Sequence, residues 1–184
     1  IYGGLLATLN YMGYISGALL ASTLSRLEYK FRMYRLGLVL AAISTTGMGL
    51  TQDVPTWLLL RYISGVSSVA GLLIASGLVM NWLSRQQLKT ELGLHFAGMG
   101  LGIALTGFAV LSMAQSLDWA QQWLVMGVGG LLFFIPAWFW MPSPASVTGQ
   151  SNTPENATAP TPRWMALMIA TYFCGGFGYV ISAT

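Results

Sequence analysis

From Pro55 to Trp82 the chain is an unbroken run of apolar and small residues with one charged side chain, Arg61. A hydrocarbon core about 30 Å thick needs roughly 20 helical residues at ~1.5 Å each, so this run is long enough to cross it. Arg61 stands six residues after Pro55, about 9 Å along the axis. An arginine costs ~2.5–3.5 kcal/mol at the bilayer centre on insertion scales and less near an interface. Gly65, Ser68, Gly71, Ala75 and Ser76 keep much of the helix surface small, which lets neighbouring helices approach closely. A charged helix with a small surface belongs inside a bundle.

The rest of the chain repeats the pattern. Further apolar runs cover about 1–23, 34–52, 92–114 and 119–141, and another begins at 164 and continues to 184. Only 7% of the residues are charged, against roughly 25% in soluble domains, too few to coat a water-soluble particle. The basic residues fall between apolar runs, which gives no clustered face for nucleic acid. The one cysteine, Cys174, allows no internal disulfide and no cysteine metal cluster, and no cofactor or metal set is expected. The Pro-, Ser-, Thr- and Asn-rich stretch 142–163 reads as a disordered linker. The chain starts without Met and stops inside an apolar run, so it reads as a piece of a longer protein.

Charge gives an orientation. The 24–35 loop carries Arg26, Lys30, Arg32 and Arg35, the 84–91 loop carries Arg85 and Lys89, and the linker ends on Arg163. The turns between them hold Asp53 and Asp118 and no basic residue. Basic loops face the cytoplasm, so residue 1 is expected outside and the 142–163 linker inside. The tryptophans at 57, 82, 119, 123, 138, 140 and 164 fall near run ends, where an aromatic belt places them.

Leu9–Gly17 can be laid on Leu94–Gly102. Gly13 and Gly17 then match Gly98 and Gly102, Tyr11 matches Phe96, and Asn10 matches His95. The charge rule sends these two segments through the membrane in opposite directions. Similar segments of opposite direction mark an inverted-topology repeat, a transporter architecture.

Leu58-Leu-Leu-Arg61-Tyr-Ile-Ser-Gly65, followed by small residues to Gly71, resembles the fourth-helix motif of the major facilitator superfamily. The basic stretch Gly17–Arg35 takes the place of that superfamily's loop between helices two and three, without its aspartate. Gly98-Met-Gly-Leu-Gly102 with Gly107 is similar to the glycine-rich fifth helix of its antiporters, without their proline. Segments such as Gly93–Ala104 and Gly176–Thr184 look like a poorly characterised bacterial branch. The resemblance spans the chain, taken as about helices 2 to 7. It implies an all-α polytopic bundle with inverted three-helix repeats, in a bacterial inner membrane. It also implies a secondary transporter moving a small organic solute by alternating access, commonly with protons, as symporter or antiporter. The partners implied are that solute, protons, membrane lipids and the remaining helices of the full-length chain. A non-transporting membrane receptor, sensor or assembly partner is the alternative.

Four residues are candidates for the substrate or coupling path. Arg61 is an intramembrane charge with no acid in any apolar run to pair with it. Histidine is the side chain able to take up and release a proton near neutral pH, and His95 lies about a turn into its helix. Asn10, its counterpart in the repeat, shares a helix face with Tyr14. The bland readings are a snorkelling arginine and polar groups that only join helices. Gly13, Gly17, Gly65, Gly71, Gly98 and Gly102 are expected to serve close helix packing. An enzyme is not expected: the chain has one His, no paired carboxylates, no phosphate loop and no Ser-His-Asp set.

Overall fold

The computed structural model of the chain describes residues 2–89 and 93–144, together with residues 162, 163 and 166. The chain divides into two compact units, Ile1–Ser146 and Val147–Thr184. In the second, Pro162, Arg163 and Ala166 are helical. Most of the expected linker and the run from 164 otherwise lie outside the described residues.

Every regular element among the described residues of the first unit is helical. These are α1 (Tyr2–Thr23), α2 (Leu27–Leu50), α3 (Val54–Val69), a π-helical segment (Ala70–Ile74), α4 (Ala75–Arg85), α5 (Gly93–Met113) and α6 (Trp119–Trp140). α3, the π segment and α4 join into one continuous helix, Val54–Arg85. Among the described residues, 5 helices are long and apolar enough to cross a membrane. The protein is thus an all-α, multi-pass membrane bundle. Its outer surface agrees, because Leu19, Leu101, Phe108, Leu111, Phe133 and Phe139 are all exposed, and apolar surface on this scale marks contact with a membrane or with further protein.

Local chemistry sets the helix starts. Asp53 caps α3 by accepting hydrogen bonds from the Thr56 amide at 3.0 Å and the Thr56 hydroxyl at 2.6 Å. Those two bonds, the hydroxyl's first, hold its carboxyl below the ordinary carboxylate range. Pro55 follows in the first turn, where its missing N–H costs nothing. Asp118 and Gln121 form a capping box on α6, with Gln121 N–H donating to Asp118 at 2.8 Å and Asp118 N–H to Gln121 at 3.1 Å. α2 begins at Leu27, ahead of the expected start near Tyr34, so Lys30, Arg32 and Arg35 ride on the helix itself.

Packing centres on α3. α1 runs parallel to it and crosses it at backbone distance. Gly13 faces the Tyr62 carbonyl, Gly17 faces Val66 and Val69, and Gly65 faces the backbone of Asn10 and Tyr14. Ser16 and Tyr62 share a hydroxyl–hydroxyl bond of 2.8 Å across the same crossing. α2 runs antiparallel to both α3 and α6. Gly37 meets Ala70, Gly49 meets Ala120 and Leu124, and Gly127 meets Thr46. The buried cluster of Tyr34, Val69, Ala70, Ile74, Ala75 and Leu78 fills the middle. The Tyr34 hydroxyl donates to the Ala137 carbonyl at 2.9 Å, one of the last four carbonyls of α6, which lack amide partners of their own.

The helix directions put Arg26, Lys30, Arg32, Arg35, Arg85 and Lys89 at one end of the bundle. Asp53 and Asp118 mark the opposite end, where Trp57 and Trp119 touch with ring centroids 4.6 Å apart.

Candidate functional site

Arg61 lies two turns into α3, at the acidic end. Its guanidinium carbon sits 5.2 Å from the centre of the Trp123 ring on α6, a cation–π distance. Trp119 stands beside Trp123 at 6.4 Å, and the Trp57 indole N–H donates to the Thr51 carbonyl at 2.8 Å. The Arg61 Nε is buried and has no hydrogen-bond partner among the described residues. The two acids at this end, Asp53 and Asp118, are taken up by the helix caps. An aromatic face therefore holds the cation while the carboxylates nearby are committed elsewhere. A guanidinium so held keeps its donors free for a planar anionic group such as a carboxylate.

The Trp123 ring also lines a cavity of about 500 Å³ between α2, α5 and α6. Leu38, Ala41, Gly130 and Phe133 make it apolar, and Thr45 and Thr106 supply hydroxyls. Its size falls in the range of small-ligand pockets.

His95 occupies the opposite, basic end. Its Nε2 lies 3.0 Å from the Ser76 hydroxyl on α4, and the Phe96 ring meets it edge-on at 5.5 Å. Ser76 donates in turn to the carbonyl of Leu72, inside the π segment. Ser76 follows Arg61 by fifteen residues, about 22 Å along a helix, so Arg61 and His95 lie toward opposite ends of the bundle. Asn10 and Tyr14 come together at the α1–α3 crossing, where their backbone abuts Gly65.

The candidate glycines divide. Gly13, Gly17 and Gly65 lie at the α1–α3 crossing, whereas a Cβ at Gly71, Gly98 or Gly102 would meet no described atom within 4 Å. Sequence reasoning had picked out Ser76 only as a small residue and Trp123 only as an interface aromatic. The partner residue gives each its role, and neither partner is a sequence neighbour. The π segment has no sequence signal in the run Ala70–Ile74.

Residues 2–184 match the family described as "Uncharacterised MFS-type transporter YbfB". The "Uncharacterized transporter mfc1" of Schizosaccharomyces pombe (strain 972 / ATCC 24843) is 27% identical over 127 residues, which covers 68% of this chain and 26% of that protein. The chain therefore spans about a quarter of the length of that curated relative. No solved structure matches the chain.

Proposed function

Because the chain belongs to the MFS-type transporter family that its sequence matches, we propose that the full-length protein moves a small organic solute across a bacterial inner membrane by alternating access, coupled to protons. The observation that carries this reading is Arg61: a membrane-embedded cation held against Trp123, with the acids at its end used as helix caps. An intramembrane charge is costly, and such a residue is a functional candidate by default. In this reading Arg61 anchors an anionic group on the solute, and the apolar cavity behind Trp123 accommodates its carbon skeleton. Asn10, Tyr14 and His95 belong to the same path, His95 toward the basic end.

The test is solute-driven proton flux in liposomes holding the full-length protein. Carboxylate-bearing solutes with apolar bodies are expected to dissipate an imposed pH gradient, and uncharged analogues are not. Folded protein that moves no proton with any carboxylate solute would refute the coupled reading.

The orientation follows from charge. The end bearing Arg26, Lys30, Arg32, Arg35, Arg85 and Lys89 faces the cytoplasm, as basic ends do. In a Cys174→Ser background, single cysteines at Gln52 and Gln115 should react with an impermeant thiol reagent added outside. Cysteines at Lys30 and Gln87 should react only after the membrane is opened. Outside labelling at Lys30 would reverse the topology.

A further inference from the structure

We propose that His95 is a proton-binding site that takes up its proton on Nδ1, and that Ser76 is the positioning residue that reserves that nitrogen. The place of this site in a transport cycle rests on the function proposed above, but the site itself does not.

The argument begins with the Ser76 hydroxyl, which has a single hydrogen. That hydrogen goes to the Leu72 carbonyl. The contact between Ser76 Oγ and His95 Nε2, at 3.0 Å, must then be donated by the imidazole. Nε2 carries hydrogen in the neutral ring, and it carries hydrogen in the imidazolium as well. Proton gain and loss are left to Nδ1 alone.

The acceptor of that hydroxyl lies within the π segment. Within Ala70–Ile74 the Ala75 amide bonds back to the Ala70 carbonyl, one residue further than in an α-helix. A helical serine hydroxyl can bond back to the carbonyl four residues earlier. Leu72 and Ser76 have that spacing. A hydrogen bond within one helix thereby fixes the tautomer of a histidine on another.

The surroundings suit a group that changes charge. His95 is half-buried. α4, which meets it through Ser76, has Arg85 as its one charged residue, nine positions further on, about 13 Å along the helix. α5 has no other ionisable residue of the Asp, Glu, Lys, Arg or His type. Lys89 is exposed beyond the end of α4, and Glu91 lies outside the described residues. Ser76 bonds the ring in both protonation states, so the positive charge arrives without breaking the link between α4 and α5.

The experiment is nitrogen NMR of full-length protein with labelled histidine, titrated over about pH 5 to 8, with His95→Gln to identify the signals. At the basic end of that range Nε2 should be protonated and Nδ1 bare. On acidification only Nδ1 should cross to the protonated position. Ser76→Ala should convert the neutral ring from a single tautomer to a mixture, and Ser76→Thr, which keeps the hydroxyl, should restore the single form. A neutral His95 protonated on Nδ1, a ring that does not titrate, or a Ser76→Ala protein with an unchanged tautomer would each overturn the assignment. This readout requires no transport. A protein that moves no solute yet shows the Nδ1 titration would keep the proton site and lose the proposed function.

Discussion

Replacing Gly65 with alanine should destabilise the helix bundle by roughly 3 kcal/mol, at the upper end of the cost of overpacking. The reason is what the new methyl group would meet. Besides the Asn10 carbonyl oxygen, it would lie 2.8 Å from the Asn10 carbonyl carbon and 2.9 Å from the Tyr14 amide nitrogen. These are backbone atoms, held in place by the hydrogen bonds of α1. They cannot turn aside as a flexible side chain would, so α1 and α3 must part. Parting them also opens the contacts of Gly13 and Gly17 and stretches the Ser16–Tyr62 bond. A larger residue, Gly65→Leu, should prevent stable assembly altogether. Gly77 supplies the control, because it is also a mid-helix glycine but a methyl group there meets nothing within 4 Å. Gly77→Ala should be neutral or stabilising by roughly 0.5–1 kcal/mol, the ordinary helix preference for alanine. Thermal unfolding of the purified full-length protein in detergent separates the two. If Gly65→Ala melts with the wild type, the α1–α3 crossing is not as close as described.

The second large effect is functional. Arg61→Ala should lower the affinity for a carboxylate solute by roughly 30-fold or more, the scale of losing one partner of a desolvated charge pair at about 2–5 kcal/mol. Its effect on folding should be small or favourable. With the acids at its end of the bundle serving as caps, truncation removes a desolvated cation and leaves no buried carboxylate behind among the described residues. Arg61→Lys should fall between the two, since it keeps the charge but loses the planar fork and the broad stacking face against Trp123. Uptake in liposomes, paired with a melting curve for each variant, is the measurement. Normal uptake by well-folded Arg61→Ala protein would return Arg61 to the bland reading of a snorkelling side chain.

The repeat shows where sequence reasoning stops. Leu9–Gly17 and Leu94–Gly102 match at Gly13 with Gly98 and at Gly17 with Gly102, and spacing alone treats Gly13 and Gly98 alike. In the structure Gly13 meets the Tyr62 carbonyl, whereas no described atom lies near a methyl group placed at Gly98. Gly49 and Gly127 show the converse. Neither stands in a motif, yet each lies against a close neighbour on the facing helix, Ala120 and Thr46 respectively. A glycine records that close approach is permitted. The neighbour that makes use of it lies on another segment.

The candidate path follows the same rule. Arg61 stood out because one charge in a long apolar run conflicts with its solvent, and that conflict is local. His95 stood out because it is the one histidine in the chain. Their partners, Trp123 and Ser76, belong to other helices and have many plausible bland roles. Only the approach of Trp123 to Arg61, and of Ser76 to His95, in the folded chain selects them.

The sequence by itself determined that this is a membrane bundle and which ends of its described helices carry the positive charge. Those properties follow from length, apolarity and charge along one dimension, where each segment meets the same lipid whatever its neighbours. The tertiary structure alone decided which glycines bring backbones together, that the long helix loosens into a π turn at Ala70–Ile74, and which nitrogen of His95 is left free. Those depend on which atoms from distant segments come within hydrogen-bonding or van der Waals range. That range is a few ångströms, and no spacing along the chain specifies it.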